Sequence, residues 1–175
     1  MNAASLNRFA AMVRVDQAGE FGATRIYAGQ MAVMGNRAPQ AAEVAAMAAQ
    51  EADHCARFDR LMAERGVRPT LLQPLWSLAG FALGAATALI GPEAAMACTA
   101  AIETEIDRHY SAQLDELADD SDPELAEMIT EFRDDEREHK ALAMAAGAEG
   151  APAYPLLSGA IRMGCRMAIH LSERV

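Results

Sequence analysis

The sequence predicts an all-α protein, a four-helix bundle with two additional apolar helices, built from two three-helix repeats. Composition is the first sign. Aromatics make up only 5% of the chain and methionine occurs 11 times. Alanine is abundant and β-branched residues are few, which favours helices over strands. The second sign is a pair of Glu-x-x-His units, Glu51-Ala52-Asp53-His54 and Glu136-Arg137-Glu138-His139, each preceded by a lone glutamate, Glu20 and Glu103. The third is spacing: 83 residues separate the lone glutamates, while 85 separate the motif glutamates and also the histidines. Tyrosine follows each lone glutamate at +7 (Tyr27, Tyr110) and glutamine at +10 (Gln30, Gln113). Leu71-Leu72 returns as Leu156-Leu157 at the same offset of 85. Each half is a lone-Glu helix, a Glu-x-x-His helix and an apolar helix.

The elements follow in order. A first helix runs from about Ser5 to Met34 and ends at Gly35-Asn36. Pro39 opens a second, which carries Glu51 and His54 and stops at Gly66, with Pro69 just beyond. The near-uniform small residues from Ala41 to Ala49 suit close helix contact. A third, apolar helix lies between Pro74 and Ile90, and Gly91-Pro92 breaks it. The fourth starts near Pro92, carries Glu103 and ends around Asp119-Asp120. Ser121 or Asp122 caps the fifth, with Pro123 and Glu124 in its first turn, and it runs through Glu136 and His139 to Gly147. A turn-rich connector then leads to a last helix from about Leu156 to Leu171.

At 175 residues the chain suits one well-buried domain and is short for two. A single domain over 1–175 is expected, with repeat one at about 5–90 and repeat two at about 92–173. The net charge of −10 argues against a nucleic-acid partner, because phosphate backbones call for a basic patch. Cys55, Cys98 and Cys165 are odd in number and widely spaced. They form no disulfide framework or iron–sulfur pattern, as expected of a reducing cytoplasm. The N-terminal segment lacks the charged and apolar regions of a cleaved signal peptide.

Residues three apart on a helix share a face, so each Glu-x-x-His aims a carboxylate and an imidazole at one point. Four carboxylates and two imidazoles from four helices are the ligand set of a carboxylate-bridged dinuclear metal site. As ordinary surface residues, a given histidine would have a glutamate at −3 in roughly one case in twelve by composition. Two such pairs at the repeat offset, each with a matching lone glutamate, are much harder to obtain by chance. Glu20 and Glu103 also sit among small and apolar residues, where a carboxylate is costly unless it is protonated or binds a cation. Hard oxygen donors with two imidazoles suit iron or manganese better than zinc, and the di-iron class carries this ligand set. In that arrangement Glu51 and Glu136 bridge two iron ions, Glu20 and His54 complete one, and Glu103 and His139 the other.

Some neighbours compete for these roles. Glu105 lies two residues from Glu103, so only one can face the site, and the repeat register selects Glu103. Asp53 and Glu138 sit at matching places inside the motifs and are assigned mainly to the surface. His109 has no counterpart, since Ile26 holds its repeat position. With Tyr110 it is a candidate contact for substrate or electron donor, against the plainer alternative of packing and hydrogen bonding.

From Thr70 to Pro92 no residue is charged. The stretch approaches the length of a membrane span, which needs about 20 apolar residues, but glutamine, proline and three glycines weaken it. A buried core helix using Gly80 and Gly84 for tight packing is one alternative, and a helix dipping into one leaflet is another. With Arg162 and Arg166 on the last helix to meet lipid phosphates, peripheral attachment to a membrane surface is favoured.

The segments RVDQAGEFGATRIYAGQMAV, EADH, AIETEIDRHYSAQ, FRDDEREH and GCRMAIHLSERV resemble those of the demethoxyubiquinone hydroxylases of ubiquinone biosynthesis, which are ferritin-like di-iron proteins. The resemblance covers nearly the whole chain, and RVDQAGEFGA, RIYAGQ and AIHLSERV are far more specific than Glu-x-x-His. It implies that Glu20, Glu51, His54, Glu103, Glu136 and His139 ligate iron. It also implies hydroxylation of a demethoxyubiquinone-type ring with O2, with NADH as electron donor. His109 and Tyr110 match a His-Tyr pair tied to electron delivery, although Arg108 stands where the family often has another histidine. A polyprenyl quinone substrate implies peripheral placement on the cytoplasmic side of the cell (inner) membrane. Homo-oligomerisation and membership of a ubiquinone-biosynthesis complex stay open. The chief rival is a ferritin-like iron-storage or peroxide-handling protein, against which the long uncharged stretch speaks.

Overall fold

The computed structural model describes residues 3–36, 38–118 and 122–174. Every regular element among them is helical: α1 (Ala3–Met34), α2 (Ala41–Arg65), α3 (Gln73–Ile90), α4 (Pro92–Leu117), α5 (Pro123–Ala145), a 3-10 turn at Ala148–Gly150, and α6 (Tyr154–Ser172). The fold is all-α, in keeping with a ferritin-like helical bundle. Its residues group into two compact units, one of Met1–Pro92 with Arg166–Val175 and one of Glu93–Cys165. The break at Pro92 coincides with the start of the second sequence repeat.

The stop signals act through backbone chemistry. Gly35 and Gly66 adopt left-handed φ values of 57° and 64°, a region costly for residues bearing a Cβ. At the end of α2 the Val67 N–H reaches back to the Met62 carbonyl at 2.9 Å, satisfying an orphan helix acceptor. Pro39 does not open α2; it lies in the preceding turn, where the Ala41 N–H donates to the Ala38 carbonyl at 3.1 Å. Asp122 caps α5 by accepting the Leu125 N–H at 3.2 Å, with Pro123 in the first turn. The alternative cap Ser121 and the expected α4 terminus at Asp119-Asp120 lie outside the described residues.

In the first unit, α1 and α3 meet through glycine. A Cβ on Gly84 would collide with the Ile26 backbone, and one on Gly29 with the Phe81 backbone. One on Gly80 would stand 3.0 Å from the Gly22 carbonyl oxygen. Gly80 and Gly84 thus serve the tight packing expected of them. The opposite side of α3 is apolar and open, with Leu75 51%, Leu78 70% and Leu89 75% exposed. The Trp76 indole N–H donates to the Ser172 hydroxyl at 3.0 Å, tying the start of α3 to the chain's C-terminal segment.

In the second unit, α4 is buried on every side from Ala94 through Glu103. A helix wrapped in this way needs small residues all round, and five of these ten are alanine. On α5, Leu125, Ile129 and Phe132 are fully buried ahead of Glu136 and His139, so the ligand-type residues continue the core-facing stripe.

Candidate metal centre

Each unit assembles a buried triad. In the first, α1 supplies Glu20 and α2 supplies Glu51 and His54; their exposures are 0%, 0% and 3%. His54 Nδ1 lies 3.4 Å from Glu20 Oε2 and 3.9 Å from Glu51 Oε2. In the second, α4 supplies Glu103 and α5 supplies Glu136 and His139, with exposures of 1%, 0% and 2%. His139 Nδ1 lies 3.2 Å from Glu136 Oε2. Within each triad one ligand atom per residue falls within 4.8 Å of the others. The Glu-x-x-His spacing does what helix geometry requires, since carboxylate and imidazole emerge one turn apart on the inward face.

The donor set fits a hard divalent cation. Two carboxylates with an imidazole are packed with almost no solvent in each unit, where a buried anion is expensive unless a cation or proton compensates it. Carboxylate oxygens and imidazole nitrogens are the donors that iron and manganese accept. The thiol next to His54 offers no competing anionic donor. Burial, then Asp59 and then Glu20 push Cys55 up to about 12, so it stays protonated at neutral pH. The cysteines of the described chain are free thiols.

The competing neighbours separate cleanly. Glu103 stands in the triad, whereas Glu105 accepts the Arg162 Nε–H at 2.6 Å and lies 3.9 Å from Arg108. Glu105 is nevertheless as buried as Glu103, at 2% exposure. Asp53 and Glu138 are exposed. His109 is half-buried, its Nε2 3.0 Å from Gln113 Nε2, while Tyr110 is buried at 1% exposure. Their rings lie 6.2 Å apart, centre to centre. The matched pairs Tyr27/Tyr110 and Gln30/Gln113 are all buried, so the repeat extends to packing.

Sequence reasoning passed over several polar residues. Asp16 and Thr99, each four residues before a lone glutamate, are buried at 2% and 1%. Their i−4 placement on the ligand face was the available signal. Gln17 Nε2 donates to Asp59 Oδ1 at 2.9 Å, a pairing between helices that no local pattern announces.

Comparison with known proteins agrees with this architecture. The family described as "Ubiquinone biosynthesis protein COQ7" matches residues 7–172. The chain is 56% identical over 173 residues to a "3-demethoxyubiquinol 3-hydroxylase" of Rhodospirillum rubrum, covering 99% of this chain and 80% of the relative. It is 51% identical over 168 residues to the human "NADPH-dependent 3-demethoxyubiquinone 3-hydroxylase, mitochondrial", covering 94% and 76%. It is 44% identical over 179 residues to the "5-demethoxyubiquinone hydroxylase, mitochondrial" of Saccharomyces cerevisiae, covering 94% and 77%. With its paired buried Glu/Glu/His triads and this similarity along almost its entire length, the chain belongs to the COQ7 family of ubiquinone biosynthesis proteins.

Proposed function

We propose that this protein is a 3-demethoxyubiquinol 3-hydroxylase, a di-iron monooxygenase that hydroxylates the quinol ring with O2 in ubiquinone biosynthesis. The observation that carries this is the pair of buried Glu/Glu/His triads in a chain so similar to named hydroxylases. Glu20, Glu51 and His54 of one unit and Glu103, Glu136 and His139 of the other would hold the iron. Bound iron supplies the activation of O2 that attack on a ring carbon requires.

The rest falls to the protein's own side chains. The ligands' burial keeps bulk water away from the reacting centre and limits unproductive reduction of oxygen. Overall, one oxygen atom becomes the ring hydroxyl and the other leaves as water, using two electrons and two protons. A reduced nicotinamide donates the electrons: the human relative's name specifies NADPH, whereas the resemblance implied NADH. His109 and Tyr110 are the proposed contact for donor or substrate, with Gln113 holding the His109 ring.

The substrate's polyprenyl tail keeps it in a bilayer, so the enzyme must meet it there. Among the described helices α3 alone is long and apolar enough to be considered for a span. Its 18 residues rise about 27 Å, short of the roughly 30 Å hydrocarbon core. Its glycine face is also locked to α1, which carries the buried Asp16 and Glu20. Such a helix lies along the interface, presenting Leu75, Leu78 and Leu89 to lipid. On α6, Met163 and Met167 are also exposed, at 63% and 62%. Peripheral attachment on the cytoplasmic side of the cell membrane is part of this proposal, supported by the exposed apolar face of α3.

The test is an anaerobic single turnover of the reduced, iron-loaded protein with demethoxyubiquinol, followed by an ¹⁸O2 pulse and mass spectrometry. Label in the hydroxylated ring with about two irons per chain supports the monooxygenase. Iron oxidation without labelled quinone would favour storage or peroxide chemistry instead.

A further inference from the structure

The two repeats treat one arginine differently. Arg25 and Arg108 each follow their lone glutamate by five residues. Three residues before Arg108 stands Glu105, whose carboxylate lies 3.9 Å from the guanidinium. Three residues before Arg25 stands Gly22, and a Cβ built there would meet nothing within 4 Å. Where the second repeat has a carboxylate, the first has open space.

Arg25 makes no hydrogen bond or ion pair with any described residue. Its guanidinium carbon lies 5.7 Å from the centre of the Phe81 ring, and its Nε–H is buried without an acceptor. The aromatic face favours the charge but leaves that N–H unsatisfied, which is costly in a folded protein. The surroundings make room for the side chain. Gly80 of α3 would, with a Cβ, press within 3.1 Å of Arg25 Cβ. Gly22, Arg25, Gly80 and Phe81 are all half-buried, so the place is reachable from outside. It is separate from the metal centre: Arg25 projects about 140° around α1 from Glu20, at roughly 100° per residue. In a chain of net charge −10, this cation stands near open space at Gly22 and makes no ion pair with a described residue.

We propose that Arg25 is the receptor for a single phosphate group, and that this group belongs to a phospholipid headgroup. A guanidinium's planar fork binds phosphate through parallel charge-assisted hydrogen bonds, and the Nε–H supplies one of them. The phosphate takes the place that Glu105 holds for Arg108. The lipid source follows from α3, which carries Phe81 and has Leu75 and Leu78 exposed at 51% and 70%. No charged residue lies between Thr70 and Pro92. A cation at the flank of an interfacial apolar helix stands at headgroup level. The lipid source rests on the membrane attachment proposed above; the phosphate site does not.

The test uses the full-length protein, Arg25→Gln, and Arg60→Gln as a control at an exposed arginine of α2. Far-UV circular dichroism establishes that the variants fold. The arginine Nε–H resonance that disappears in Arg25→Gln is followed by NMR during titration with inorganic phosphate and, separately, soluble dihexanoylphosphatidylglycerol. Flotation with phosphatidylcholine vesicles, with and without phosphatidylglycerol, measures attachment. The expected result is a saturable shift of the Arg25 resonance with the short-chain lipid, and about fivefold weaker vesicle binding for Arg25→Gln but not for Arg60→Gln. A shift with inorganic phosphate while Arg25→Gln and Arg60→Gln float alike would keep the site and overturn the lipid source. Wild-type protein that ignores vesicles yet shifts with phosphate would likewise sink the membrane reading alone. An Arg25 resonance unmoved by either titrant would overturn the proposal.

Discussion

Arg162 donates its Nε–H to Glu105 Oε1 at 2.6 Å, joining residues 57 positions apart. The partners are not equivalent, because the Glu105 side chain is 1% exposed and that of Arg162 39%. Arg162 without Glu105 can turn to water, whereas Glu105 without Arg162 is a buried carboxylate that has lost its 2.6 Å partner, offset in part by the exposed Arg108 at 3.9 Å. Arg162→Leu is therefore expected to lower stability by about 2 kcal/mol, discounted from the buried-pair range for its exposure. Glu105→Leu costs less, and the double leucine variant recovers most of the loss. Urea unfolding of the three variants checks the order; equal losses for the two single changes would contradict it.

The glycine contacts predict opposite signs for one substitution at two sites. Gly84→Ala forces a methyl into the Ile26 backbone, which cannot swing aside as a side chain does, and should cost about 3 kcal/mol. Gly164→Ala in α6 meets nothing within 4 Å and should gain roughly 0.5–1 kcal/mol from helix propensity. Thermal denaturation of each variant, without metal, decides.

Glu136→Ala separates ligation from folding. Removing a fully buried carboxylate relieves the metal-free protein, so its melting temperature should hold or rise. Added Fe(II) should stabilise the wild type, as any ligand selective for the native state does, and the variant much less. Hydroxylation should be abolished. Unchanged iron content together with normal turnover would refute the assignment.

Cys55 gives a pH signature. Its thiol is raised from 9.0 to about 12 by burial, Asp59 and Glu20. The unfolded chain therefore releases this proton at lower pH than the folded one. The contribution to stability is complete below pH 9 and is lost as pH climbs from there towards 12. Cys55→Ala should unfold with a shallower alkaline dependence across that window, and the native thiol should resist iodoacetamide at pH 8.

Leu78→Glu tests the outer face of α3. The side chain is 70% exposed, so folding and iron content should persist, while vesicle binding falls by about tenfold or more from lost apolar contact. Flotation that matches wild type would remove α3 from the membrane reading.

The parts legible in the sequence are those governed by short-range geometry. Glu51 with His54, and Glu136 with His139, sit one helical turn apart, so any helix through them brings the pair together. Gly35, Gly66 and Gly91-Pro92 mark ends because backbone sterics act locally. Pro39 misled by two residues because proline suits a turn as well as a first helical position. The burial of Glu105 was not legible: its acceptor role depends on how α6 is rotated against α4, which the packing of many residues sets. The same holds for Trp76 with Ser172, 96 positions apart, and for Gln17 with Asp59. The repeat marks the candidate ligands by symmetry, whereas what is asymmetric, such as Arg25 beside Gly22, depends on how α1 packs against α3.

Where Gly29 and Gly84 bring α1 and α3 together, the nearest neighbours are backbone atoms, with no side chain there to act as a cushion. The pair behaves as a single beam, since a side chain can change rotamer under load and a backbone cannot. One helix of the beam offers leucines to its surroundings, and the other holds Glu20. A tilt imposed on α3 would thus pass to Glu20, a candidate ligand, through backbone contact, making α1 a mechanical gauge of whatever α3 rests on.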